Sequence, residues 1–439
     1  MPSASGLAGS RSAWHHRGND HARDWAGPMT QQHLDPRATQ AEPARAGHWR
    51  EVFAASLRLG LTSFGGPIAH LGYFREEYVV RRRWLDERAY ADLVALCQFL
   101  PGPASSQVGI GIGLSRAGYA GAVAAWVGFT LPSALVLMLF AYGVTSLGDP
   151  GGSGWLRGLK VAAVAVVAQA VLGMIRSLAP DRERATLAVA AAVLVLAVPG
   201  ALGQVAAILI GGVVGVLVLR GTSAGTPAAA LPLTVSRAAG VTALAVFFAL
   251  LVVLPLLATA IPSQTLRLVD VFYRAGSLVF GGGHVVLPLL ESAVVTPGWV
   301  TPEVFLAGYG ATQAVPGPLF TFSAYLGAAM GPAPNGWAGG LVCLLAVFLP
   351  SFLLVIGTLP FWEALRRQAK AQAALAGINA AVVGLLLAAL YDPVWTTGVT
   401  SASDFGLAAV AFVMLASWKA PPWAVVAGCA AAGWVLSLV

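Results

Sequence analysis

Charge is scarce in this chain: of 439 residues only 10% are Asp, Glu, Lys or Arg, against 57% hydrophobic. A water-soluble fold of that size would have too few polar side chains to cover its surface, so the composition excludes one and points to lipid as the solvent. Cysteine is nearly absent too. Cys97, Cys343 and Cys429 stand far apart in apolar sequence, which excludes a disulfide framework, a zinc site and a cysteine redox centre. Walker loops, nucleophile motifs and paired metal ligands are missing, and Gly111-Ile-Gly113 is too short for a nucleotide fingerprint. The chain is therefore expected to be no enzyme and to need no cofactor or metal. Without an ATPase, any transport it performs must run on an ion gradient or on the gradient of the substrate itself. Residues 1–47 lack apolar periodicity and hold no h-region, so they read as a disordered polar tail and not a secretory signal. The histidines there and just beyond, His15, His16, His21, His33 and His48, read as solvated side chains, with metal binding the lesser alternative.

What the sequence has instead is long uncharged runs. Ala117–Tyr142, Val241–Ile261 and Gly336–Leu359 each reach about 20 residues or more, enough to cross a hydrocarbon core of about 30 Å as helix. Such runs recur from Val52 to Val439, which makes the protein polytopic and the bilayer its first partner. The net charge of +7 comes from short basic clusters between the runs. That is the pattern of cytoplasmic loops on a membrane protein and excludes nucleic acid as the partner.

The chain is also duplicated. The first half reads Arg58, Ser-Phe64-Gly65-Gly66-Pro67, Trp84 and Gln98-Phe-Leu-Pro101-Gly102-Pro103. The second reads Arg274, Val-Phe280-Gly281-Gly282-Gly283, Trp299 and Gln313-Ala-Val-Pro316-Gly317-Pro318. Leu131-Pro132-Ser133 matches Leu349-Pro350-Ser351, and Gly158-Leu-Lys160 matches Gly377-Ile-Asn379. Ordered matches at a nearly constant offset define two repeats, 48–220 and 264–439, joined by a linker, 221–263, that carries one helix. About six apolar segments occur in each half, among them 51–72 and 90–113 in the first. The single linker helix turns the second half over. The expected fold is thus an all-α polytopic membrane protein of two homologous, inverted helical repeats, the symmetry of alternating-access carriers. The last two segments of each half are short and pair as tilted or incomplete spans. With the tail cytoplasmic, Arg176, Arg182, Arg184, Arg220, Arg237, Arg366, Arg367 and Lys370 share its side, while Arg81, Arg82, Arg83 and Arg88 fall outside. The conflict disappears if the Phe-Gly-Gly segment enters and leaves on one side, which changes the span count.

Two motif pairs are candidates for a binding site. Phe64-Gly65-Gly66-Pro67 and Phe280-Gly281-Gly282-Gly283 interrupt apolar segments, and the backbone groups so freed cannot face lipid. Close helix packing is the plain reading; matching broken helices in both halves are the functional one. Pro101-Gly102-Pro103 and Pro316-Gly317-Pro318 cannot continue a helix, and Ser105, Ser106 and Gln107, or Thr321 and Ser323, follow them. A helix restarting there offers N–H groups and hydroxyls to an anion; a kink with local hydroxyl caps is the alternative. Arg58 and Arg274 occupy equivalent positions six residues before the motif phenylalanines, either snorkelling to headgroups or holding a doubly charged oxyanion. Gln98 and Gln313 precede the Pro-Gly-Pro motifs. Lys160 is a second-tier candidate, as a charge inside an apolar run. His70 and His284 are candidates for proton coupling. Glu76, Glu77, Glu291, Asp92 and Asp270 are unranked.

These motifs resemble the chromate ion transporter family in its long two-domain form. The run from Arg58 through Phe64-Gly-Gly-Pro-Ile-Ala-His70 to Pro103 is similar to that family's first repeat, and Phe280 to Thr321 to its second. The resemblance covers about residues 50–439 and implies a multi-pass carrier of the bacterial inner membrane that exports chromate and confers resistance. Its driving force would be the membrane potential or the proton gradient. Sulfate has nearly the same size and charge, so exchange of chromate for sulfate, or uptake, stays open, with an anion channel as the reading from another class. Assembly with further copies of the chain also stays open.

Overall fold

A computed structural model describes residues 47–146, 154–198, 200–219, 235–280, 283–365 and 368–438. The expected disordered tail lies outside them except for Gly47, as do Gly281, Gly282, Arg220, Arg366 and Arg367. Among the described residues all regular structure is helical.

The first half opens with α1 (Trp49–Thr62) and α2 (Gly66–Phe74), which continues through Arg75–Arg81 as a π-helical turn. Next come α3 (Glu87–Phe99) and α4 (Ala104–Ser146). His48 and Asp86 cap α1 and α3 by accepting the N–H groups of Arg50 and Ala89. The apolar segments 51–72 and 90–113 count as spans by sequence, with a same-side return open for the Phe-Gly-Gly segment, and neither crosses. Each is a hairpin that enters and leaves at the same end of the bundle. At the far end of α2, Arg82 forms a salt bridge with Glu51, near the start of α1, at 3.7 Å. Glu51 also pairs with Arg116 at 3.4 Å, and Arg82 and Arg116 both lie over the Trp84 ring. The second hairpin consists of α3 and the first stretch of α4, with Leu93 packed on Gly111. The reason is local. Arms of 13 or 14 residues reach only about 20 Å, and Gly65 (φ 96°) and Gly102 (φ 115°) take backbone conformations closed to other residues, which reverse the chain.

A second reversal divides α4. Ala117 and Gly118 leave helical conformation, and the backbones of Gly113 and Gly121 pack directly on each other, so the stretch after Gly118 folds back along the stretch before it. That later stretch crosses the bundle. α5 (Gly154–Leu178) returns, and α6 (Arg182–Ala197) with α7 (Ala201–Val218) forms the short pair; α8 (Arg237–Ala260) follows with an outward apolar face. The second half repeats the pattern with α9 (Gln264–Leu278), α10 (Val286–Val294), α11 (Pro302–Ala314), α12 (Phe322–Ala329) and α13 (Gly336–Thr358). It ends with α14 (Ala369–Ala389), α15 (Ala402–Ala416) and α16 (Pro422–Leu436).

Among the described residues, five helical stretches are long and apolar enough to cross a membrane: Ala104–Ser146, Gly154–Leu178, Arg237–Ala260, Gly336–Phe361 and Ala369–Gly398. The inversion is visible where equivalent helices meet head to tail. The Tyr142 hydroxyl, near the end of α4, accepts the N–H of Trp337 at the start of α13 (3.1 Å), while Trp126 packs on Phe348 and Phe352 toward the other end. α5 and α16 run antiparallel with Gly154 on Gly433 and Gly158 on Cys429, and so do α7 and α14, with Gly211 on Ala381 and Gly215 on Ala373. These contacts gather Arg81, Arg82, Arg83, Arg88, Arg116, Arg182, Arg184, Arg237 and Lys370 at one end of the bundle, hereafter the basic end. The return of α2 therefore resolves the charge conflict that full spans created. Single cysteines at Arg83 and Arg182 are expected to react with an impermeant maleimide from one side of the membrane, and one at Ser403 from the other. Reaction of Arg83→Cys and Ser403→Cys from the same side would overturn this topology; the native cysteines are buried and contribute little background.

Candidate functional site

The four hairpin tips meet in the middle of the bundle, and they cross between repeats. Gly102 of the first Pro-Gly-Pro motif donates its N–H to the carbonyl of Val279, beside the second Phe-Gly-Gly motif, at 2.6 Å. Gly317 of the second donates to the carbonyl of Ser63, beside the first, at 3.0 Å. The two bonds are related by the internal symmetry. Each glycine also faces the serine of the other half's Leu-Pro-Ser motif: a Cβ on Gly102 would lie 3.1 Å from Ser351 Oγ, and one on Gly317 2.8 Å from Ser133 Oγ. The close approach and the positive φ (115° and 105°) both require glycine.

Around the first-half tips, Phe64, Gly66, Pro67 and Pro101 are half-buried, Gly65 is exposed, and Gly102 and Pro103 are buried. His70, one turn into α2, shares a hydrogen bond with Ser105 Oγ through Nδ1 (3.3 Å) and meets the Phe129 ring edge-on. Ser106 is buried with no partner for its hydroxyl. Gln107 holds the tip by donating Nε2–H to the Pro101 carbonyl at 2.6 Å. Gln98 is exposed on α3.

Around the second-half tips, Gly283 begins a short turn, Pro316 and Gly317 are half-buried, and Pro318 is buried. Thr321 and Ser323 donate to the carbonyls of Pro318 and Phe320, so local caps satisfy both hydroxyls. Gln313 is half-buried, with no partner for Nε2. His284 Nδ1 shares a 2.6 Å hydrogen bond with the Tyr309 hydroxyl.

The paired arginines differ. Arg274 makes a two-bond salt bridge to Asp270 one turn earlier, at 2.8 and 2.6 Å, and Asp270 is buried. Arg58 is exposed, and the matching position one turn before it holds Ala54, so no described carboxylate neutralises it. Lys160 lies half-buried on α5, where its carbonyl faces Gly398. The sequence did not mark Ser63, Thr130 or Tyr309 as site candidates. It marked Ser133 and Ser351 only as repeat landmarks, and that repetition was the one signal available for them.

Two surface grooves lie elsewhere: one between α6 and α7, lined by Leu187, Ala190 and Val214 together with Arg182 and Glu183, and one between α1 and α4, around Phe53, Val123 and Val127. Both are mostly apolar walls of the bundle's outer face.

Fold and tips together define a multi-pass helical membrane protein of two inverted repeats whose broken segments cross at the centre. The chromate transporter family profile matches residues 50–216 and 266–434, one copy per repeat, and the chain belongs to that family. It is 29% identical to the chromate transport protein of Pseudomonas aeruginosa over 88% of this chain and 92% of that one. To the probable chromate transport protein of Synechococcus elongatus it is 27% identical, over 83% and 88%. The chromate transport protein of Cupriavidus metallidurans is also 27% identical, over 78% and 81%. No solved structure matches the chain.

Proposed function

We propose that the protein is a secondary carrier that moves chromate out of the cytoplasm across the bacterial inner membrane, and so confers chromate resistance. The observation that carries the reading is the crossing of the tips. Two glycine N–H groups, one per repeat, join breaks from opposite repeats, as expected of a binding site lying on the axis about which inverted repeats exchange conformations. The helix restarting at Ala104 directs its first N–H groups and positive dipole end toward that centre, which favours an anion. Arg58, with no described carboxylate to neutralise it and one turn from the first break, adds positive charge near that centre. The basic end is assigned to the cytoplasm by the positive-inside rule.

Sulfate, a tetrahedral dianion of nearly the same size, is the natural competitor. The deciding experiment is radiochromate flux in inverted vesicles, with sulfate as competitor and a protonophore as control. Accumulation that requires energy and collapses with the protonophore is the expected result. Flux indifferent to the gradient would make the protein a channel, and chromate uptake coupled to sulfate release an exchanger.

A further inference from the structure

The repeats match in backbone but differ in chemistry where they meet. Besides the amide atoms Gln107 Oε1 in the first repeat and Gln313 Nε2 in the second, five buried polar atoms near the tips lack a hydrogen-bond partner among the described residues: Ser63 Oγ, His70 Nε2, Ser106 Oγ, Thr130 Oγ1 and Ser351 Oγ. The residues of these five are at most 2% exposed. An unsatisfied buried hydroxyl is costly and calls for an explanation, a missing ligand among them.

All five belong to the surroundings of the first repeat's two tips. Ser63 ends α1, and its carbonyl receives Gly317. The site of a Cβ on Gly317 is 3.3 Å from the carbonyl oxygen of Phe129, the residue before Thr130. His70 edges the same Phe129 ring and bonds Ser105, the neighbour of Ser106. Ser351, the one contribution from the second repeat, lies against Gly102, four residues before Ser106.

The second repeat lacks this set. In motif register, Ser63 corresponds to Val279, His70 to Val286 and Thr130 to Phe348. Ser106 corresponds to Thr321 and Ser351 to Ser133, whose hydroxyls are spent on the carbonyls of Pro318 and Thr130. Charge follows the same division, Arg58 being free of a carboxylate and Arg274 bound by Asp270.

We propose that the oxyanion is held in one asymmetric site at the first repeat's tips, its oxygens accepting hydrogen bonds from Ser63, His70, Ser106, Thr130 and Ser351. The second repeat, apolar at the positions that match Ser63, His70 and Thr130, is the counterpart against which that site moves. The assignment rests on the carrier reading. With Ser105 donating to His70 Nδ1, the neutral ring carries its proton on Nε2 and donates to the anion. Hydroxyls and a ring N–H suit a tetrahedral oxyanion, which offers acceptors in every direction.

The test uses the full chain, purified in detergent for chromate binding and in inverted vesicles for flux, with monodispersity on size exclusion as the folding control. Ser106→Ala and Thr130→Val are each expected to weaken chromate binding about tenfold or more, the loss typical of one hydrogen bond to a charged group. Thr130→Ser, which keeps the hydroxyl, restores binding. In the second repeat, the neutral pair Asp270→Asn with Arg274→Gln, and separately Ser323→Ala, keep at least about half of the flux, because those groups satisfy one another or their own helix. Equal losses from the two repeats, or wild-type affinity in folded Ser106→Ala and Thr130→Val, overturn the asymmetric site while leaving the carrier intact. A wild-type protein that neither binds nor moves chromate or sulfate sinks the carrier reading, and this site with it.

Discussion

Gly317→Ala is expected to abolish chromate flux in a protein that still inserts. The native φ of 105° strains any residue with a Cβ by about 1–3 kcal/mol. The added methyl would lie 2.8 Å from Ser133 Oγ, closer than Cβ atoms sit, and 3.2 Å from Ser133 Cβ, a contact tight enough that the serine must shift. Relief by moving the tip breaks the hydrogen bond to Ser63, the link between this repeat and the first. Gly102→Ala should act alike, since its methyl meets Gln107 Nε2 at 2.7 Å and Ser351 Oγ at 3.1 Å. Gly143→Ala is the control, with nothing within 4 Å of the new methyl and helical backbone at that position. Comparing vesicle flux of the three, at matched membrane content, checks the idea; wild-type flux in Gly317→Ala would show that the crossed tips are not part of the transport path.

The second large effect concerns stability. Asp404, 2% exposed in the first turn of α15, accepts two hydrogen bonds from Arg157 of α5 (2.7 and 2.9 Å) and two more from the main chain and hydroxyl of Thr400. Arg157 also reaches Ser401 Oγ at 2.7 Å. This network ties a helix of the first repeat to one of the second. Asp404→Ala leaves the guanidinium without its counter-charge; the Arg157 side chain is 37% exposed, so solvent screening brings the cost below the roughly 3–5 kcal/mol of a fully buried pair. The expected readout is a large fall in melting temperature in detergent, followed by tryptophan fluorescence or size exclusion. Replacing both partners, with Arg157→Met and Asp404→Leu, should recover much of the loss. A melting temperature unmoved by Asp404→Ala would mean the network is solvated and carries little of the joint.

The position of the centre was written in the chain: the spacing of Phe64 to Pro101 and of Phe280 to Pro316 marks the breaks that the structure brings together. The path of the chain through those breaks was not. A Gly-Pro interruption in an apolar run suits a kinked helix that continues across the bilayer as well as a hairpin that turns back. The choice depends on Leu93 meeting Gly111 and Gly113 meeting Gly121, contacts between segments that local pattern does not encode. The inversion survived the change in span count because two segments of each half become hairpins: each removes one crossing, and two removals together leave the parity of the half unchanged. Arg58 and Arg274 were indistinguishable by motif position. Their difference lies one turn upstream, where Asp270 can reach an arginine and Ala54 cannot.

By itself the sequence determined the solvent, through scarce charge and long apolar runs, the duplication, through constant spacing, and the places where helices must break, through glycine and proline. All three are properties of single residues or of their order. Only the tertiary structure decided that the breaks are tips of returning hairpins, that Gly102 bonds Val279 while Gly317 bonds Ser63, and that unpartnered hydroxyls gather at one repeat's tips. These are pairings across 177 and 254 positions of chain, and backbone hydrogen bonds use atoms that every residue shares, so no residue type announces its partner.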